Sequence, residues 1–421
     1  MTPRPLKLLE AVRASYWFIP GVMAVAALIL GATLVYTDAV IGSGWLDKIA
    51  VYQSNKPAGA REVLATIAGS SITVAGTVFS VTIVAISFAA GQYGPRLLTN
   101  FMADRGNQVT LGTFAATFLY CLEVLRTIRG GEDSAFVPDL AVSIALVLAV
   151  ASILVLIYFI HHVPSSIHVN TVVAHVGCSL LAGIEDRFPR HLGGAGGEPA
   201  RTPAEAPAPL DSAAIGYVQS VSEEMLMEVA SRRDLLVRMR SQPGDFVRPG
   251  RPIADVWPAG RMDDATRAEL LKAFAVGDRR SPAQDLNFLA DELVEIATRA
   301  LSAGVNDPTT AITCLEWLAA AAAKIGGRDE PDRCRVDKGG KLRVIAEPAT
   351  FATFVSRVFG GLRQYVAGDA NAAGRALSLL AELSHATSRP DQRRVLEHEA
   401  AALRAAATAK VDPSVATWPA G

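Results

Sequence analysis

The feature that most constrains this chain is a series of apolar runs without formal charge, nearly all of which lie before Glu185. A hydrocarbon core about 30 Å thick is crossed by roughly 20 apolar residues in a helix, which satisfies its own backbone polar groups. Four segments meet that length. The first runs from about Phe18 to Tyr36, and the second lies between Val63 and Pro95 around ITVAGTVFSVTIVAISFAA. The third, about Val109 to Leu125, is short and carries Glu123; the fourth opens near Leu140 as LAVSIALVLAVASILVLIYFI. The remaining sequence holds most of the ionised residues. The averages of 50% hydrophobic and 19% charged residues therefore describe a membrane part joined to a water-soluble part.

The first run is longer than a signal-peptide core and no A-x-A site follows it, so it is expected to stay as a span. Arg4, Lys7 and Arg13 precede it and favour a cytosolic N-terminus. The later loops do not decide orientation. Arg4, Lys7 and Arg13 together with Arg96 and Arg105 on one side are balanced by Lys48, Lys56, Arg61, Arg126 and Arg129 on the other. An even number of spans places both termini on one side, here expected to be the cytosol.

Polar residues inside the spans are the candidate functional groups. At about 100° per residue, Ser70, Thr73, Thr77, Ser80, Val84, Ser87 and Gly91 fall on one face of the second span. Small and hydroxylated residues favour close helix packing, with hydroxyls bonded to their own i−4 carbonyls; that is the favoured reading. The same row in an oligomer would give a water-facing pore wall. Glu123, costly at membrane depth, has Arg126 three residues on as an ion-pair partner.

The fourth apolar segment is too long for one crossing. No Asp, Glu, Lys or Arg occurs from Leu140 to Ile184, about 68 Å of helix at about 1.5 Å per residue. Its end must be buried against other protein, either the C-terminal half or further copies of the chain. Val169, Val173, Val176 and Leu180 give a 4-3-4 seam for that burial. His161, His168 and His175 are spaced to share a face, and in a symmetric oligomer they would stack as rings able to sense pH or bind metal. Polar flanking at the membrane interface is the plainer account.

The Gly-, Pro- and Ala-rich stretch 191–213 reads as a flexible linker. Beyond it, GYVQSV and LLVRMR read as strands around the helix-like EEMLMEVAS, with turns at Pro243-Gly244-Asp245 and Pro249-Gly250. This order resembles part of a biotinyl or lipoyl carrier domain, but Leu226 stands where the carrier would need lysine. From Asp263 onward the pattern is helical. Ser281 is expected to cap a helix with Pro282 at its first position, with Leu286, Leu289, Leu293, Ile296 and Ala300 as its apolar face and Asp291, Glu292, Glu295 and Arg299 outside it. Asp307 and Pro308 open the next helix. The turn between them places Ser302, Asn306, Asp307 and Thr309 at a helix start, where an anion could dock; helix punctuation explains the same residues.

The expected fold is thus mainly α: a four-span transmembrane domain (1–165), a helical extension of the fourth span (166–190), the linker, and a cytosolic α+β domain. The last comprises a small β-rich module (214–260) followed by a helical bundle (261–410). The four cysteines are scattered, with no metal-ligand spacing. No basic patch with interleaved aromatics supports nucleic-acid binding, and no nucleophile, Walker or HExxH motif supports an enzyme. No catalytic residue, metal or cofactor is assigned.

The stretches SITVAGTVFSVTIVAISFAAGQYGPRLL, FMADRGNQVTLGTFAATFLYCLEVLRTIR and QDLNFLADELVEIATRALSAGVNDPTTA resemble a bacterial membrane-protein family catalogued as domain of unknown function 2254. The resemblance implies a bacterial inner-membrane protein and carries no catalytic residues. Two functions fit: a homo-oligomeric channel lined by the second span, or a membrane-anchored sensor or scaffold whose cytosolic helices bind a ligand or partner. Apart from the lipid bilayer and further copies of itself, no partner is indicated.

Overall fold

A computed structural model describes residues 16–41, 56–94, 104–130, 136–188 and 203–410. Most of the expected linker (191–202) and the basic residues Arg4, Lys7, Arg13, Lys48 and Arg96 lie outside these ranges. The chain divides into two compact units, residues 1–171 and 172–421.

The first unit contains four helices long and apolar enough to cross a membrane: α1 (Phe18–Ile41), α2 (Pro57–Tyr93), α3 (Arg105–Thr127) and α4 (Asp139–Ile167). Helix α3 touches the other three and is the centre of the group. That position explains its composition. Its polar residues Asn107, Gln108, Thr110 and Thr117 are buried against protein, where a hydroxyl or amide can find a partner that lipid cannot supply. Thr117 and Ser152 share a hydrogen bond of 3.1 Å between α3 and α4, and the Tyr120 hydroxyl donates to the Ala141 carbonyl at 2.8 Å. The buried Asp38 side chain accepts from the Ala141 amide at 3.1 Å, satisfying one of the free N–H groups at the N-terminus of α4. Glu123 and Arg126 form the expected pair at 2.9 Å.

The fourth apolar segment is not one continuous helix. Helix α4 ends at Ile167, His168 is extended, and α5 (Val169–Arg187) begins anew. Pro164, which cannot donate to the helical ladder, lies just before the break. The covered face of α5 is Val173, Val176, Leu180 and Ile184, so the expected seam is shifted by one step and Val169 is only half-buried. Within the second unit the cover is the chain's own helical part. A Cβ on Gly177 would come 2.3 Å from the Trp317 ring, so glycine is what lets the indole lie on this helix. At the C-terminal end, Arg328 donates to the Phe188 carbonyl at 2.6 Å and Lys324 pairs with Glu185 at 2.6 Å, cations where the helix dipole favours them.

The β-rich part of the second unit holds two sheets. One has the order β1 (Ala208–Asp211), β5 (Pro252–Trp257), β3 (Leu236–Met239), β8 (Leu342–Ile345), β7 (Cys334–Val336); the other has the order β4 (Phe246–Val247), β2 (Gly216–Val221), β6 (Phe274–Gly277). Two differences from the sequence reading follow. The stretch expected to end as linker contains strand β1, paired with β5. The hairpin β7–β8 is drawn from what reads as helical sequence, and its strand β8 pairs parallel with β3, so the sheet is completed from both sides of the expected boundary at residue 260. Helix α6 (Glu223–Arg232) and α7 (Asp264–Leu271) close the core. Leu226 is fully buried in it, so the carrier-domain turn has no counterpart here.

The helical part comprises α8 (Leu286–Ala300), α9 (Pro308–Gly326), α10 (Phe351–Val355), a π-helical turn (Ser356–Gly360), α11 (Gly361–Val366), α12 (Ala370–Ala386) and α13 (Pro390–Lys410). Helix α8 is capped by Asp285, which accepts from the Phe288 amide at 3.1 Å, not by Ser281. Gln284 is drawn away instead to bond both backbone groups of Val221, at 2.8 and 3.2 Å. Nor is Asp291 left to solvent: Arg357 holds it at 2.8 and 2.9 Å and Arg280 at 2.6 Å.

Candidate pore-lining face of the second membrane helix

Helix α2 has 37 residues, about 55 Å at about 1.5 Å per residue, so it is longer than the hydrocarbon core. It starts with Pro57 at the first position, where the missing N–H costs nothing. Arg61 is fixed by donating to the Ile128 carbonyl at 2.8 Å.

One face of α2 packs on α3 and α4. It is formed by Leu64, Ile67, Ser71, Ala75, Val78, Thr82 and Ala89, all buried. The expected row of Ser70, Thr73, Thr77, Ser80, Val84, Ser87 and Gly91 is exposed at every position. At about 100° per residue the two faces point in nearly opposite directions. The row therefore does not pack against the other described helices of its own unit, so the packing half of the favoured reading is not met there. The physical reason is that small residues permit close contact without requiring it; the larger Leu64, Ile67 and Val78 took the covered side.

The other half of that reading holds: the hydroxyls bond back to their own helix. Thr73 donates to the Gly69 carbonyl at 2.8 Å, Thr77 to Thr73 at 3.2 Å, Ser80 to Gly76 at 2.9 Å, and Ser70 to Ile67 at 3.0 Å. Each oxygen keeps acceptor capacity facing outward. Gly69 and Gly76 lie along the same side with open space before them. The row is flanked by exposed large apolar residues, Ile72, Phe79 and Ile83 on one side and Val81 and Phe88 on the other. Beside its beginning, an open groove of about 440 Å³ is lined by Gly59, Glu62, Val63, Thr66, Ile67, Leu146 and Ala149. The arrangement offers dipoles and no fixed charge over the middle of the helix, bordered by surfaces suited to lipid or to neighbouring helices.

The histidines are dispersed. His161 is exposed on α4, His168 occupies the helix break, and His175 is exposed on α5. The stacked face expected of them requires one unbroken helix, which the chain does not make. His162, only a neighbour in the sequence pattern, is better placed. Its Nε2 lies 3.0 Å from Asp104 Oδ1 and its Nδ1 lies 3.2 Å from the Tyr158 hydroxyl. Asp104 also caps α3 through the Asn107 amide at 2.9 Å. A Cβ on Gly106 would come 2.6 Å from His162 Nε2, so the glycine gives the imidazole room. An Asp directly before a helical run is a capping signal that the sequence offers; nothing in the sequence points to its histidine partner. Among the described residues no group of three His, Cys, Asp or Glu is placed to hold a metal ion.

In the turn before α9, Asp307 accepts from the Thr310 amide at 3.1 Å and from its hydroxyl at 2.5 Å. Ser302 donates to the Arg299 carbonyl at 2.6 Å. Asn306 takes a left-handed conformation, φ 50°, which asparagine tolerates, and Thr309 is exposed. Ser302 and Asp307 are thus engaged in ending one helix and starting the next. Some charged groups of this unit are held by several partners at once. Hydrogen bonds from Lys341, Arg261 and Arg343 hold the Asp234 carboxyl well below its usual range. For Asp291, burial opposes ionisation, but the bonds from Arg357 and Arg280 outweigh it and lower the pKa. Burial pushes the Cys314 thiol up.

Four apolar helices with a mixed α+β unit after them define a multi-pass membrane protein. A family model described as predicted membrane protein (DUF2254) matches residues 13–382, and the chain belongs to that family. It is 31% identical over 403 residues to an uncharacterised protein of Mycobacterium bovis, covering 93% of this chain and 76% of the relative. The same figures relate it to an uncharacterised protein of Mycobacterium tuberculosis. No solved structure matches it.

Proposed function

We propose that this protein is a homo-oligomeric ion channel or pore of the bacterial cytoplasmic membrane, with α2 lining the path and the C-terminal unit regulating it from the cytosol, where both termini lie. The observation that carries the reading is the orientation of α2: its hydroxyl and glycine face turns away from the other described helices of its own unit. Around a symmetry axis such faces would converge on one another, with Ile72, Phe79, Val81 and Phe88 meeting neighbouring subunits. Back-bonded hydroxyls can line water without fixing an ion in place. The alternative is a sensor or scaffold whose cytosolic helices bind a ligand or partner; at its candidate turn, Ser302 and Asp307 serve the helix boundary. The channel reading is therefore preferred, and no catalysis is assigned.

Recording from purified protein in planar bilayers tests it. Discrete conductance is expected, and replacing Thr77 or Ser80 by Leu should lower it about tenfold or more by narrowing and drying the wall. A folded oligomer that leaves the bilayer silent counts against the proposal, and a strictly monomeric protein removes it.

A further inference from the structure

The second unit carries an exposed patch that the channel reading does not use. Strand β4 is the edge of the three-stranded sheet, paired with β2 through Tyr217 opposite Phe246 and Gly216 opposite Val247. Alternation puts Val247 in the core and Phe246 outward; Phe246 is 46% exposed, with the Tyr217 ring against it at 5.2 Å. One step further, Ile215 is 70% exposed. It belongs to the exposed loop Ala213-Ala214-Ile215, which is tied to a second loop by the Ser212 amide donating to the Arg251 carbonyl at 3.0 Å. The second loop, Arg248-Pro249-Gly250-Arg251, is fully exposed and closes with a bond from the Arg251 amide to the Arg248 carbonyl at 3.0 Å. Arg251 also donates to the Phe246 carbonyl at 2.7 Å.

Two adjoining loop tips thus present Ile and Phe beside two arginines, and neither tip contains an acidic residue. Of the acids that border the patch, Asp245 accepts from the Gln242 amide at 2.8 Å, and the exposed Asp278 is followed directly by the exposed Arg279. Lone exposed apolar residues need no explanation. This combination, large apolar groups with arginines on an edge strand, matches the chemistry of a lipid surface: apolar side chains enter the headgroup boundary while guanidinium groups stay at the phosphates. The same chain carries four helices long and apolar enough to cross a membrane, so the second unit is tethered to a bilayer.

We propose that the Ile215–Phe246 tip is a docking surface for anionic lipid headgroups, with Arg248 and Arg251 supplying the charge. This proposal stands apart from the channel reading. Its test uses the full chain in nanodiscs of phosphatidylcholine, alone or with phosphatidylglycerol. An environment-sensitive fluorophore is attached through Ile215→Cys after Cys178 and Cys334 are replaced by Ser; Cys121 and Cys314 are buried. With phosphatidylglycerol present, the emission should shift to the blue and be quenched by nitroxide-labelled lipid, and high salt should reverse both. Arg248→Gln with Arg251→Gln should reduce the docked fraction about tenfold or more, and Phe246→Ser should reduce it with unchanged thermal stability. Unquenched emission that is the same in both discs overturns the proposal. A blue shift without lipid quenching assigns the patch to a second copy of the chain and overturns it as well.

Discussion

Helices α2 and α5 begin from similar sequence instructions and end differently. Each belongs to a run almost free of charge, and each has a face that must meet something other than water. The face of α5, built from Val173, Val176, Leu180 and Ile184, is covered by its own unit. That of α2, from Ser70 to Gly91, is left uncovered by its own unit. A large apolar seam gains by any contact that removes it from water. A small hydroxylated face, already satisfied by its own carbonyls, gains only from a partner that fits closely. The first kind of face finds cover within the chain; the second can wait for another molecule.

This contrast can be broken by truncation. Leu180→Ala should destabilise the second unit by about 2–5 kcal/mol, the range for a buried leucine left as a cavity, measured by thermal unfolding and by amide exchange in α5. Gly177→Ala should cost about 1–3 kcal/mol, since the added methyl overlaps the Trp317 ring and forces repacking. On α2, Val84→Ala should change the stability of detergent-solubilised monomer by less than about 0.5 kcal/mol, because Val84 is 69% exposed and surface changes seldom cost more. A large loss there would mean that the face is covered within the chain after all.

Acid sharpens the same comparison. The β7–β8 hairpin is held through Asp234, which binds Lys341, Arg261 and Arg343, and through Asp337, whose carboxyl the Arg343 hydrogen bond also lowers. Folded-state pKa values below the unfolded ones make this contribution complete above the ordinary carboxylate range. It is lost as pH falls through the folded values. Amide exchange at Leu342–Ile345 should therefore accelerate below about pH 4, and Asp234→Asn should flatten that dependence. Asp234, which makes most of these bonds, is open to solvent, so the effect is the smallest of the set. Exchange that stays constant down to strong acid would show that sheet pairing alone holds the hairpin.

The residues that were misread share a physical cause. Ser281 and Asp285 are both acceptable caps, and the choice fell to Asp285 because Arg280 pairs with it at 2.7 Å and because Gln284 reaches the backbone of β2. Asp291 lies outside the apolar stripe of α8 by periodicity, yet two arginines from elsewhere enclose it. Strands β1, β7 and β8 are short, and short strands take their identity from neighbours distant in sequence. His162 could be seen to lie on α4, but its pairing with Asp104 depends on how two spans cross. Conversely, Asp307 and Pro308 open α9 as their order dictates, since a cap acts only on the next turn.

The amino-acid order by itself determined which segments enter a membrane, because charge and open backbone are excluded from hydrocarbon regardless of what else the chain does. It likewise determined that the run to Ile184 needed protein around it, and which side chains share a face of α2. The tertiary structure decided what covers each face, since that depends on which surfaces fit and not on how apolar they are. It placed α5 against Trp317 and its neighbours, enclosed Asp291 between arginines, and turned the hydroxyl row of α2 outward.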